Sequence, residues 1–166
     1  MKKWLVILVG MLFLTGCGSV ETYETLGDVP HLSPTVAQMQ QVVLTLPQEA
    51  ALAVSGGDGE VTVYECEGYM IQLQTFASGD LSKTIRTLCG FDPNALTVME
   101  STCGDHTRYD WVWTAVAEEG DVVCRGAVLD DGGHHYSLCV MASAEDSAAL
   151  AAQWNGLFAS FCLEAE

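Results

Sequence analysis

Positive charge is what this sequence has least of. Beyond residue 17 only Lys83, Arg86, Arg108 and Arg125 are basic, against all 22 acidic residues, so that stretch carries a net charge of −18. A field of that sign repels phosphate backbones and the anionic face of a bilayer, which excludes nucleic acid as a partner and membrane binding through charge. Long apolar runs are scarce as well. The one continuous run, Trp4 to Leu14, is eleven residues, about 16 Å at 1.5 Å per residue against a bilayer core roughly 30 Å thick, so it does not serve as a resting transmembrane anchor. None of the seven cysteines stands in a C-x-x-C pair, which removes a zinc knuckle and a thioredoxin-type redox motif. There is no glycine-rich phosphate loop after a strand and no G-x-S-x-G. No cofactor or metal is expected.

What is present begins at the amino terminus. Lys2 and Lys3 precede the apolar run, and Leu14-Thr15-Gly16-Cys17 follows it, the layout of a secretory signal with a small-residue cleavage site. These residues resemble the bacterial lipoprotein signal, whose lipobox ends in a cysteine. The resemblance implies that residues 1–16 are removed, that the Cys17 thiol receives a diacylglycerol, and that Cys17 becomes the first residue of a lipid-anchored protein facing outside the cytoplasm. A plain secretory signal shares the charged start and the apolar centre; Cys17 and the three residues before it separate the two. Two acyl chains, at about 0.8 kcal/mol per buried methylene, exceed what stable anchoring needs.

At 166 residues the chain is one domain's worth and long enough to bury a core. Residues 17–37 are polar, interrupted by Gly27, Pro30 and Pro34, and lack apolar periodicity; they read as a tether with a reach of about 25 Å. His31 stands alone in it. Residues 38–163 then form a single domain. Its six remaining cysteines, Cys66, Cys89, Cys103, Cys124, Cys139 and Cys162, permit disulfides in an exported protein; in a source living without oxygen they are small buried hydrophobes.

Within that domain Gln41 to Leu46 reads as a first strand stopped by Pro47, while Gln48 to Val54 is ambiguous. Val61–Cys66 and Tyr69–Phe76 read as a hairpin closed around Glu67-Gly68. Asp80 caps a helix bearing Leu81, Ile85 and Leu88, and Gly90 ends it. Leu96 to Thr102 returns as a strand. Arg108–Glu118, Asp121–Asp130 and Gly133–Ala142 form a meander with Glu119-Gly120 and Asp131-Gly132 as two-residue loops. Those loops set Trp113 opposite Gly126 and Trp111 opposite Val128, an indole covering a cross-strand glycine. They also set Cys124 opposite Cys139, at a Cα separation of about 5.5 Å that a disulfide can bridge. Ser143-Ala-Glu-Asp146 has capping-box spacing, and Leu150, Trp154, Leu157, Phe158 and Phe161 form one apolar stripe on the helix it opens.

The order strand, hairpin, helix, strand, meander and long final helix, ending in Trp154-x-x-x-Phe158-x-x-Phe161, is similar to the PsbP-like group across residues 38–163. It also resembles uncharacterised single-domain lipoproteins of anaerobic Gram-positive bacteria. The PsbP-like resemblance implies an α+β fold, a twisted antiparallel sheet of about six to seven strands covered by two helices as an α/β/α sandwich. It further implies service as a binding or assembly accessory.

Candidate sites are few. His134 and His135 beside Asp130 and Asp131 have the composition of a metal site, but adjacent strand residues point to opposite faces and do not share one ion. Asp58-Gly59-Glu60 lacks the ligand spacing of a calcium loop and reads as a solvated turn. Cys103, Asp105 and His106 bring a thiol, a base and a carboxylate to one turn. The expected protein is therefore a non-enzymatic, lipid-anchored binding or accessory domain at the cell envelope. A small thiol-dependent enzyme or hydrolase would instead show a pocket holding a residue of shifted pKa, and a structural or assembly partner would show an exposed apolar patch.

Overall fold

The computed structural model describes residues 39–164 except 57–60, 78 and 119. The leader, Cys17, the tether with His31, and the Asp58–Glu60 turn lie outside the described residues. The elements run β1 (Val42–Val43), β2 (Ala51–Ser55), β3 (Val61–Cys66), β4 (Tyr69–Ala77), α1 (Leu81–Cys89), β5 (Met99–Cys103), β6 (His106–Ala117), β7 (Gly120–Asp130), β8 (His134–Ser143), α2 (Ala144–Ser160) and β9 (Cys162–Leu163). Strands β2 to β8 make a seven-stranded antiparallel sheet in the order β2-β3-β4-β8-β7-β6-β5, and β1 pairs with β9 as a separate two-stranded ribbon. The α+β class is the one expected.

Alternation along the strands gives the sheet two different faces. Ile71, Ala127, Leu129, Leu138 and Val140 are fully buried on one, and α2 packs there through Trp154, Leu157 and Phe158 with Phe161 just beyond its end. That helix forms where the sequence places it. The Ser143 hydroxyl accepts the Asp146 N–H at 3.1 Å, and it donates to the Asp146 carboxylate at 2.8 Å. An aspartate is too short for the reach back to the cap N–H that glutamate makes in a full capping box, so it bonds the cap side chain instead. The other face carries Gln72, Trp111, Trp113, Cys124, Gly126, His135 and Cys139, and α1 sits on that side, burying Thr84 and Ile85. Asp80 accepts the Ser82 N–H at 2.9 Å, and Gly90 takes the left-handed conformation (φ 78°) that closes the helix, as the sequence predicts.

Three expectations about strands are corrected. Of Gln41–Leu46 only Val42–Val43 is strand, and its partner is Leu163–Cys162 rather than a neighbour in the main sheet. The fifth strand begins at Met99, not Leu96, because a 3₁₀ turn at Pro93–Ala95 runs on into Leu96. In the meander both registers shift by two residues. Ala117 pairs with Gly120, so the first loop is residues 118–119; the second spans 131–134, with Asp130 opposite His135. Side chains cause the longer loop: Asp130 accepts the Gly132 N–H at 2.8 Å, and Asp131 accepts those of Gly133 at 2.7 Å and His134 at 2.6 Å. A two-residue shift leaves every side chain on its expected face, so alternation alone does not detect it.

The shift changes who meets whom. Trp111, not Trp113, lies opposite Gly126, and Cys124 faces Met141 while Cys139 faces Gly126. A Cβ placed on Gly126 would come within 2.6 Å of the Trp111 ring, which is fully buried. Gly126→Ala is accordingly expected to destabilise by about 1–3 kcal/mol through overpacking. Gly156→Ala on α2, where nothing lies within 4 Å, is expected to stabilise by about 0.4–1 kcal/mol. Urea unfolding of the two variants checks this pair; equal midpoints would contradict the indole-over-glycine packing.

Candidate functional site

Three groups of polar side chains are built into the sheet and its helices. The first joins α1 to the sheet. Thr84 and His135, both buried, share a 2.8 Å hydrogen bond between Oγ1 and Nδ1, and Asp130 Oδ2 lies 3.5 Å from the other ring nitrogen. Beside this pair a cleft of about 340 Å³ opens between the end of β4, at Phe76 and Ala77, and the first turns of α1, at Asp80, Lys83, Thr84 and Thr87.

Hydroxyl, imidazole and carboxylate in that order match the parts of a nucleophile, base and orienting acid. The placement argues for a clamp instead. His135 is 1% exposed, which gives a substrate or water no access to the base, and 3.5 Å with no hydrogen bond formed is too loose for an orienting contact.

The second group lies under the C-terminal end of α2. Arg108 donates to both oxygens of Asp110, at 2.7 and 2.9 Å, and to the carbonyls of Phe158 at 2.8 Å and Phe161 at 3.4 Å. Arg125 approaches Asp110 at 3.6 Å, bonds Asn155 at 2.8 Å, and lays its guanidinium 4.1 Å from the centre of the Phe158 ring. Hydrogen bonding to Asp110 raises the Arg108 pKa against the effect of burial, with the Asp110 charge adding to it, so this cation is permanent.

The third group closes the β7–β8 loop. Tyr136 donates to Asp131 at 2.8 Å and accepts the Gln40 N–H at 2.8 Å. Burial disfavours the Asp131 carboxylate, but the N–H bonds of His134 and Gly133 together with the Tyr136 hydroxyl outweigh it and lower its pKa. Burial, with the neighbouring Asp131 charge, pushes the Tyr136 phenol up to about 12.

The residues singled out from sequence scatter over these groups. His134 lies near the Tyr136 ring, with centroids 5.9 Å apart, whereas His135 reaches α1; the two imidazoles are on opposite faces. Cys103 and His106 are paired across the β5–β6 turn, and Cys103 is near enough to the Arg108 guanidinium to contribute to its raised pKa. Cys124 and Cys139, expected directly opposite one another, are diagonal neighbours instead, and all six cysteines among the described residues are free thiols. Burial pushes the Cys124 thiol up to about 12, with Cys89 nearby adding to it, and raises Cys139 further, with Cys124 and Cys89 contributing. A thiol held protonated at neutral pH is a poor nucleophile. Among the described residues no cluster of three metal-binding side chains occurs.

Comparison with known proteins gives two results. No protein-family model matches the chain, and no curated protein matches its sequence. Solved structures do match in shape. Cyanobacterial PsbP (CyanoP) from Synechocystis sp. PCC 6803 aligns over 84% of this chain and 99% of its own, with a TM-score of 0.54 at 8% identity. LpqN of Mycobacterium tuberculosis, involved in cell envelope biogenesis, aligns over 81% of this chain and 88% of its own, with a TM-score of 0.51 at 11% identity. The fold is PsbP-like.

At that identity the PsbP-like fold carries no residue roles from one protein to another, so each group above rests on its own geometry. The pairing of Arg108 with Asp110 was missed from sequence, although one signal for it was there. Two residues apart on a strand they share a face, which puts opposite charges within reach of each other. Thr84, Asp130 and His135 come from three separate elements, and nothing in their spacing announces that they meet.

Proposed function

We propose that the protein is a lipoprotein anchored in the membrane through Cys17 and exposed outside the cytoplasm. Its PsbP-like part is a non-enzymatic binding or accessory domain of the cell envelope. The observation that carries this reading is the coincidence of a lipobox, Leu14-Thr15-Gly16-Cys17, with a fold shared with LpqN, itself involved in cell envelope biogenesis. Further support comes from chemistry. The buried thiols are held protonated, and the one buried imidazole bonded to a hydroxyl has no access. Among the described residues no helix is long and apolar enough to cross a membrane. Metabolic labelling tests it: the intact protein is expected to incorporate labelled palmitate and sediment with membranes, and Cys17→Ala to do neither. Label or membrane retention in the variant would overturn the anchoring.

A further inference from the structure

The outer edge of the sheet is only partly covered. Strand β5 pairs with β6 from His106 to Asp110 and no further, because Met99 opposite Asp110 is its first residue. Residues 111–117 of β6 pair with β7 on one side, and among the described residues no strand pairs with them on the other. The direction of their backbone groups follows from the two hairpins. Cys103–His106 and Ala117–Gly120 each close a loop of two residues, and such closing pairs exchange hydrogen bonds. Even-numbered residues of β6 therefore direct N–H and C=O toward the β5 side, and odd-numbered ones toward β7. Val112, Thr114 and Val116 thus hold the open donors and acceptors of this edge. The same residues are exposed at their side chains, Val112 to 57% and Val116 to 81%.

Exposed edges normally carry a lysine, a proline or a bulge that blocks further pairing. From Trp111 to Ala117 (Trp-Val-Trp-Thr-Ala-Val-Ala) there is none of these and no charge. In a chain with a net charge of −16, such an uncharged stretch lets two copies approach with carboxylates only at its ends, where Asp110 comes opposite the second copy's Glu118. The stretch is also its own complement. An antiparallel pair centred on Thr114 sets Thr114 against Thr114, Val112 against the second copy's Val116, and Val116 against its Val112. All three are hydrogen-bonded pairs, since all three residues point outward, and the four valines come together on one face of the joined sheet.

We propose that residues 111–117 of β6 form a twofold homodimer edge, continuing the sheet from one copy into a second copy of the same chain. The contact is one strand long, smaller than a permanent interface, so association is weak and reversible. It strengthens as salt screens the acidic surfaces around it. This inference does not depend on the lipid anchor.

Disulfide trapping of the full-length chain in mild non-ionic detergent tests it. Thr114→Cys places two thiols at the twofold axis with Cα atoms about 5.5 Å apart, inside the range a disulfide spans. On mild oxidation it is expected to give a covalent dimer about tenfold faster than Ser101→Cys, an exposed position on β5 outside the proposed contact. Adding Val112→Lys and Val116→Lys, which sets four ammonium groups around the axis, is expected to slow the reaction by about tenfold, with the melting temperature unchanged. Sedimentation of the wild-type chain is expected to shift toward dimer with concentration, and more so at high salt. Equal rates at positions 114 and 101, no effect of the lysines, or monomer throughout would each overturn the proposal; a dimer that salt dissociates would point to an ionic contact elsewhere and overturn it as well.

Discussion

Trp154→Ala is expected to lower the stability of the purified chain by about 3–5 kcal/mol, the range for truncating a large buried aromatic. The indole is 5% exposed and belongs to the stripe of Leu157, Phe158 and Phe161 that covers Ile71, Leu138 and Val140 on the sheet. Domains of this size have about 5–15 kcal/mol in all, so the loss corresponds to a fall in melting temperature of roughly 10–20 °C. Two further variants separate packing from other effects. The indole N–H has no hydrogen-bond partner among the described residues, so Trp154→Phe forfeits volume but no bond, and its cost is expected to be well below that of alanine. Gln153→Ala, one residue away and exposed, is expected to change stability by no more than about 0.5 kcal/mol. A Trp154→Ala protein melting at the wild-type temperature would show that α2 does not close the core.

The stripe on α2 was legible from sequence because 3.6-residue periodicity and a serine cap are local signals, and the same holds for Asp80 and Gly90 at the ends of α1. The hairpin of β3 and β4 was legible for a related reason. Gly68, at φ 83°, fixes a two-residue turn, and Cys66 then pairs with Tyr69. In the meander the glycine is a weaker guide. Gly120 occupies the first position of β7 rather than the turn itself, so counting from the glycine misplaces every pair by two.

Pairing across long separations was the part alternation did not show. Val42–Val43 has the composition of a strand, but its partner lies at the far end of the chain, and β-propensity names no partner. The cysteines show the consequence most directly. Cys124 and Cys139 were placed on the correct face, yet the register decides whether they oppose each other, and the register was set by Asp130 and Asp131 bonding backbone amides in the loop.

Arg108→Met is the second variant with a large expected effect, about 2–4 kcal/mol, because it removes one partner from several buried contacts at once. Helix α2 has Glu145 and Asp146 in its first turn, suited to the positive end of the helix dipole, but no basic residue in its last turn. Arg108 supplies that cation from β6, bonding the carbonyls of Phe158 and Phe161, where a positive charge is favoured. In methionine's place those carbonyls lose their donor and Asp110 keeps only Arg125, at 3.6 Å. Arg108→Lys is expected to recover less than half the loss, since one ammonium does not reproduce two parallel bonds to Asp110 together with those to the helix end. The Arg108 and Asp110 side chains are only 12% and 13% exposed, so raising salt is expected to leave the difference between wild type and Arg108→Met nearly unchanged. Urea titrations at low and high salt, with Asp110→Asn and the double variant completing the cycle, measure this directly. A penalty that vanishes at high salt, or single variants whose costs simply add, would mean that the arginine acts as a surface charge and does not tie the helix end to the sheet.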